Sequence, residues 1–260
     1  METELEVYTQ RMAAAWFDAT VRIYDVTPNG RVTVLNDALA LVTDTEFASL
    51  NLAVCRTPGT RPEALASLRS AAVEVGRAGL PWSIVVRGPV TATVADLAAE
   101  FGLTARDSMP LLACAADQGV LRADREQSAS IRVVDASDQG IYTQALAAGF
   151  EAPEQMFGTL MGGGVLDMPE TTGYLAGPGD RPTATGLLVH GTDVCLLLNI
   201  AVVPGARGHG LGRAMTARAM ADGFAAGADT AILISSAAGQ AMYESMGFRL
   251  VETWTSFTAG

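Results

Sequence analysis

The sequence predicts an α+β protein made of two tandem copies of one fold, each a mixed, largely antiparallel sheet flanked by helices. Three observations lead there: the order of apolar periodicities in the second half, a polar break near the middle, and a repetition of parts of the second half within the first. The chain has 260 residues, 49% of them hydrophobic and 17% charged. That length admits one large domain or two small ones, and the composition supplies ample apolar surface for a core.

In the second half, Ile131-Arg132-Val133-Val134 reads as a short strand and Asp138 to Phe150 as a helix with apolar Ile141, Ala145, Leu146 and Ala148. Pro153 opens a second short helix, and the run Gly162 to Gly164 marks a turn. Tyr174 to Ala176, Ala184 to His190 and Val194 to Val202 then follow as strands, separated by turn residues at Gly177 to Pro182 and Gly191 to Asp193. This spacing predicts an antiparallel meander. Leu211 to about Ala226 is rich in Ala and Met and reads as a helix that Gly227 stops. Thr230 to Ile234 is a buried-type strand, Ala237 to Met246 a short helix, and Phe248 to Phe257 one or two closing strands.

The polar break is Arg122-Ala123-Asp124-Arg125-Glu126-Gln127-Ser128, which predicts a linker. The repetition consists of three short matches. Leu50-Asn51-Leu52-Ala53-Val54 echoes Leu198-Asn199-Ile200-Ala201-Val202, and Ala78-Gly79 echoes Ala226-Gly227, both at an offset of 148 (199 − 51 and 227 − 79). Glu100-Phe101-Gly102-Leu103 echoes Ser245-Met246-Gly247-Phe248 at an offset of 145 (247 − 102). Matches in order at nearly constant spacing predict two copies, 1–126 and 129–260.

Composition excludes several functions. The net charge is −11 and all seventeen basic residues are Arg, so the surface repels phosphate backbones and nucleic acid is not an expected partner. An acidic surface suits a cationic acceptor such as an amine. No apolar run reaches the ~18 residues of a membrane span. The acidic start Met1-Glu2-Thr3-Glu4 lacks the basic residues of a secretory signal, and the cytoplasm is the expected compartment. Cys55, Cys114 and Cys195 form no CxxC pair, and with His190 and His209 the only histidines there is no metal-ligand spacing and no triad. Met215, Met220, Met242 and Met246 read as core packing.

The segment most laden with chemistry is Val203-Pro204-Gly205-Ala206-Arg207-Gly208-His209-Gly210-Leu211-Gly212-Arg213, which runs from a strand into a helix. Glycines let an anion approach the backbone, a helix N-terminus presents free N–H groups, and two Arg add fixed positive charge. A Walker A loop requires Lys, which this chain lacks, and the dinucleotide fingerprint GxGxxG is broken by Arg213 where its third Gly belongs. The first copy reads Cys55-Arg56-Thr57-Pro58-Gly59-Thr60-Arg61-Pro62-Glu63 here, without clustered glycines, and is expected to hold no coenzyme.

Arg207-Gly208-His209-Gly210-Leu211-Gly212 resembles the coenzyme motif of the GNAT acetyltransferases, (Arg/Gln)-x-x-Gly-x-(Gly/Ala). Asn199 to Val202 resembles the strand before that motif, and Met242-Tyr243-Glu244-Ser245-Met246-Gly247-Phe248 the family's closing (Leu/Met)-Tyr-x-x-x-Gly-Phe. The resemblance implies two tandem GNAT-like domains, of which the first is degenerate, with acetyl-CoA as co-substrate and no metal. It places Ile200, Ala201 and Val202 against the pantetheine arm, Arg207 to Arg213 around the pyrophosphate, and Tyr243 as the acid that protonates the departing thiolate. The acceptor would be a primary amine of a small molecule or peptide. Relatives carry Glu and Asn after the coenzyme helix where this chain has Ile234-Ser235-Ser236; Ser236 is expected to replace Asn in touching the coenzyme, and Asp193, Glu151 and Glu154 remain as candidate bases. Ala98 stands in the first copy where Tyr243 stands in the second. The alternative is a non-catalytic acyl-CoA-binding or sensing protein.

Overall fold

The computed structural model describes residues 3–59, 61–119, 130–179 and 181–260, which form two compact units. The first runs to Leu111 and takes in Leu250–Gly260; the second is Leu112–Arg249. The linker expected at Arg122 to Ser128 lies outside the described residues.

The first unit opens with α1 (Glu4–Val26), started by a capping box between Thr3 and Glu6. The helix buries Trp16 and Phe17 against Trp254, with ring centroids 5.0 and 5.5 Å away. β1 (Arg31–Leu35), β2 (Ala38–Val42) and β3 (Leu52–Pro58) pair antiparallel in succession. α2 (Pro62–Gly76) then crosses to β4 (Ser83–Arg87), which runs parallel to β3; α3 (Ala92–Glu100) and β5 (Leu103–Ala115) follow. Strand order in this unit is β1-β2-β3-β4, then the closing strand of the chain (β11, Arg249–Ala259), then β5.

In the second unit β6 (Ile131–Val134) precedes α4 (Gln139–Phe150) and α5 (Glu154–Met161). β7 (Thr171–Ala176), β8 (Ala184–Val189) and β9 (Val194–Val202) form the expected antiparallel meander, with β6 antiparallel on its outer edge. α6 (Leu211–Ala225) leads to β10 (Thr230–Ile234), parallel to β9, and α7 (Gln240–Ser245) leads to β11 (Arg249–Ala259). α6 packs Ala214, Met215, Ala217, Ala219 and Met220 into a core shared with Leu188, Leu197, Leu233 and Phe248, so the methionines anticipated as packing are indeed packed.

Two expectations change. The closing segment is one strand, and it pairs with β4 of the first unit through Trp254↔Arg87 to Phe257↔Ile84. A division at 126/129 assigns that strand to the second copy, because sequence order carries no information about which sheet a terminal strand joins. The LNLAV echo also shifts register. Leu52, Ala53 and Val54 pair with Ser83, Ile84 and Val85 at the start of the parallel ladder, whereas Ile200 to Val202 lie past the end of theirs, which runs only from Val194↔Thr230 to Leu196↔Ile232. Short apolar strings suit any buried strand, so the resemblance between these two marks an element type and not a shared position. The other two matches fall on corresponding features: Gly79 and Gly227 end helices at positive φ (68° and 110°), as do Gly102 and Gly247 (75° and 101°).

Candidate coenzyme site

The site grows from the way β9 leaves its neighbour. Its ladder with β10 ends at Leu196↔Ile232, although β9 itself continues to Val202. On the other edge the pairing with β8 goes on, but three steps of β9 (Leu198 to Ala201) face two of β8 (Leu187 to Thr185). One extra residue has entered β9. Asn199, at φ 55°, is the residue in left-handed conformation, a region that Asn tolerates better than most side chains. Such a bulge bends its strand and increases local twist, which accounts for the parting of β9 from β10. Two contacts fix it: Thr185 Oγ1 donates to the Asn199 carbonyl at 2.7 Å, and Asn199 Nδ2 meets Met161 Sδ at 3.5 Å. Ile200, Ala201 and Val202 therefore present the edge toward β10 without ladder partners there.

Past β9 a short 3-10 turn (Pro204–Ala206) enters the glycine loop. Gly208 and Gly210 lie at φ 80° and 83°, and an added Cβ at Gly208 would meet nothing within 4 Å, so backbone conformation and not crowding demands glycine there. Gly210 caps α6 without a side-chain bond, and no acid stands in the first turn. The first bond onto the cap is Ala214 N–H to the Gly210 carbonyl at 2.9 Å, which leaves the N–H groups of Leu211, Gly212 and Arg213 without intrahelical acceptors. Uncapped donors and an unneutralised helix dipole together favour an anion.

The side chains around this loop divide by role. Arg207 is engaged with protein on all three nitrogens: Nε donates to the Val202 carbonyl (3.1 Å), Nη1 to Glu151 (3.0 Å) and Nη2 to the Gly149 carbonyl (2.8 Å). It ties the end of β9 to the C-terminus of α4. Gly149 is packed so closely on that strand that a Cβ would stand 2.7 Å from Ala201 Cβ. Arg213 Nη2 donates to Ser245 Oγ, which itself donates to the Met242 carbonyl at 2.6 Å. His209 is exposed.

α7 docks against the same place. A Cβ at Gly212 would lie 3.5 Å from Met242 Sδ and 3.6 Å from Val202 Cγ2, so the strand end, the helix start and α7 converge. Tyr243, the next residue on α7, is 8% exposed, its ring edge-on to Phe248 at 5.7 Å. Burial pushes its phenol up to about 12. Its ring and Ser236 Oγ flank Gly239, at 2.9 and 3.4 Å from a Cβ placed there. Ser236 is exposed and its Oγ accepts the Gly239 N–H at 3.2 Å, a turn-forming role.

Several candidates fall away. Asp193 precedes the first residue of β9, seven residues from Ile200, which at roughly 3.3 Å per residue is about 23 Å from the open strand edge. Its backbone carbonyl serves Asp229 and Thr230 N–H groups instead. His190, just past β8, bonds Thr172 Oγ1 through Nε2 (2.9 Å) toward that same far end. Glu151 is paired with Arg207, and Glu154 is an exposed acid in the first turn of α5. Three residues that shape the site lie outside the roles expected from sequence: Asn199, Gly149 and Tyr142, whose buried hydroxyl donates to the Gly186 carbonyl at 3.1 Å. An Asn inside an apolar strand was the available signal for the bulge; nothing local marked the other two.

Residues 170–250 match the family model described as an acetyltransferase (GNAT) domain. Over that stretch, 81 of the 260 residues, the chain is similar to a GNAT domain. The GNAT match covers β9, the glycine loop, α6, β10 and α7. Among solved structures the chain is similar to a GCN5-related N-acetyltransferase from Kribbella flavida, at 21% identity over 97% of this chain and 96% of that one, with a TM-score of 0.67. It is also similar to one from Sphaerobacter thermophilus (14% identity, 85% and 76% covered, TM-score 0.59). A GNAT-family putative acetyltransferase from Novosphingobium aromaticivorans is alike at 20% identity, 87% and 89% coverage and a TM-score of 0.55. At such identities these three speak for the fold alone. No curated protein matches the chain. Among the described residues no helix is long and apolar enough to cross a membrane, and no group of three or more His, Cys, Asp or Glu is placed to hold a metal ion.

Proposed function

We propose that the second unit is an N-acyltransferase that moves the acetyl group of acetyl-CoA to a primary amine of a small molecule or peptide. The observation that carries this reading is the bulge at Asn199, which opens one edge of β9 and delivers it directly into an uncapped helix N-terminus. An extended, amide-bearing arm ending in a diphosphate has this sequence of requirements: strand-like backbone partners first, an anion site immediately after.

In this reading Ile200, Ala201 and Val202 pair with the arm, and a main-chain N–H of that edge polarises the thioester carbonyl. The N–H groups at Gly208 to Arg213 and the Arg213 guanidinium hold the diphosphate, with His209 and Leu211 lining the loop. Arg207 acts on the diphosphate indirectly, by fixing the end of β9. Ser236 Oγ touches the coenzyme beside Tyr243. The neutral amine nitrogen attacks the thioester carbon, the C–S bond breaks, and Tyr243 gives its proton to the leaving sulfur. A phenol near 12 is fully protonated at neutral pH and is a weaker acid than a thiol near 8.5, so it chiefly stabilises the forming thiolate through its hydrogen bond, and a proton it passes to the sulfur is replaced from solvent. The attacking amine sheds its proton to solvent, as Asp193 lies at the far end of β9 and Glu151 is held by Arg207. The first copy, without a glycine loop and with Ala98 in place of a phenol, serves a non-catalytic role.

Calorimetry with CoA and acetyl-CoA, followed by thiol release across a panel of amines, tests this. Binding together with turnover of at least one amine supports transfer. Binding without turnover for every amine leaves the acyl-CoA sensor, and absence of binding removes both.

A further inference from the structure

The first unit has a cavity of its own. β3 and β4 are in register from Leu52↔Ser83 to Val54↔Val85, then slip before Pro58↔Arg87, and a space of about 990 Å³ opens at their C-terminal ends. Crevices beyond the carboxyl ends of parallel strands are recurrent ligand sites. This one has no diphosphate cradle: α2 begins with Arg61 as its cap and Pro62, which lacks an N–H, at its first turn. Its floor is built differently. Arg87, 1% exposed, donates through Nε to Glu252 Oε2 (2.9 Å) and through Nη1 to Gln10 Oε1 (2.7 Å) and the Arg56 carbonyl. Trp254 Nε1 donates to the same Glu252 oxygen.

Beside Arg87 Nη2, which no acceptor engages among the described residues, this arrangement leaves two polar groups over. Glu252 Oε2 takes both protein donors, so Oε1 keeps its lone pairs; the Gln10 oxygen is taken by Arg87, so its Nε2 keeps two N–H donors. Among the described residues neither has a further partner. The Arg87–Glu252 pair is internally neutral, and a buried pair of this kind adds little stability by itself, so its placement at a cavity floor is better explained by ligand orientation. Leu5, Pro58, Pro89, Val90 and Val251 supply apolar walls.

We propose that this cavity binds an uncharged amphipathic molecule bearing an amide, its N–H donated to Glu252 Oε1, its carbonyl accepting from Gln10 Nε2, and its apolar part against Val90 and Val251. An ammonium or carboxylate ligand would bring an unbalanced charge onto an already neutral floor. The site lies wholly within the first unit and does not depend on acyl transfer by the second.

The test is titration of the full chain, by NMR or calorimetry, with N-acetyl-L-leucinamide, 3-methylbutylamine and 4-methylpentanoate, which share a branched apolar end. The amide is expected to bind at least tenfold more tightly than either charged analogue. Thr253→Trp, at an exposed position on the cavity wall, should abolish that binding, and Gln10→Leu should weaken it about fivefold or more, with coenzyme affinity unchanged in both. No binding of the amide, equal binding of the amine or the carboxylate, or binding that survives Thr253→Trp overturns the proposal.

Discussion

Arg207 offers the sharpest test of how the loop works. Its three nitrogens are bonded to Val202, Glu151 and Gly149, so Arg207→Gln removes a tie between the end of β9 and α4. The side chains of Arg207 and Glu151 are 47% and 63% exposed, which limits that ion pair to about 0.2–1 kcal/mol. Each bond to a carbonyl adds roughly 1 kcal/mol, and the total loss is about 2–3 kcal/mol. In a chain of this size that is a fall in Tm of about 4–12 °C. The decisive assay compares two thioesters, acetyl-CoA and acetyl-pantetheine, which lacks the diphosphate. A residue that positions β9 should affect both by the same factor in kcat/KM. A residue that grips phosphate directly should lose about 1.5–3 kcal/mol, ~10- to 100-fold, for acetyl-CoA alone. Selective loss with acetyl-CoA would refute the positioning role, and Glu151→Gln should reproduce only a minor part of the defect.

Other outcomes follow from the same geometry. Tyr243→Phe should lower kcat by about 10²-fold or more with little change in acetyl-CoA affinity; an unchanged kcat would remove the phenol from the mechanism. The Tyr243 phenol, raised from 10 to about 12 by burial, stays protonated in the folded state where the unfolded chain has begun to ionise. Its contribution is therefore intact below pH 10 and falls away as pH rises from 10 toward 12, so the stability of Tyr243→Phe should decline less steeply over that interval than wild type in denaturant titrations. Gly208→Ala places Cβ in open space at φ 80°, and should weaken coenzyme binding while shifting stability by only about 1 kcal/mol. Gly149→Ala puts Cβ 2.7 Å from Ala201 Cβ, and thermal melts should show a loss of about 1–3 kcal/mol from overpacking against β9.

The glycine loop was legible because its signal is local. Residues at positive φ, a helix that starts without a capping side chain and flanking guanidinium groups all reside in seven consecutive positions, Arg207 to Arg213. The meander and the helix of Leu211–Ala225 were legible for a related reason, since alternation, turn residues and helix propensity act over a few neighbours. The short helix that carries Tyr243 was legible in the same way, from a few neighbouring residues. Where a repeated string depended on distant pairing, as with Leu50 to Val54, local resemblance misled: it identified a buried strand but misplaced it within its ladder.

By itself, then, the sequence determined the α+β class, the element order of the second half and the glycine loop at a helix start, because propensity and backbone geometry are set within one or two turns of chain. Only the tertiary structure decided which sheet receives Arg249–Ala259, that Asn199 is the residue on which β9 turns outward, that Arg207 faces protein, and that Arg87 and Glu252 share the floor of a second cavity. Arg87 and Glu252 are 165 positions apart, and Arg207 and Gly149 are 58 apart; hydrogen bonds over such separations arise from packing of whole elements, which no short window of residues encodes.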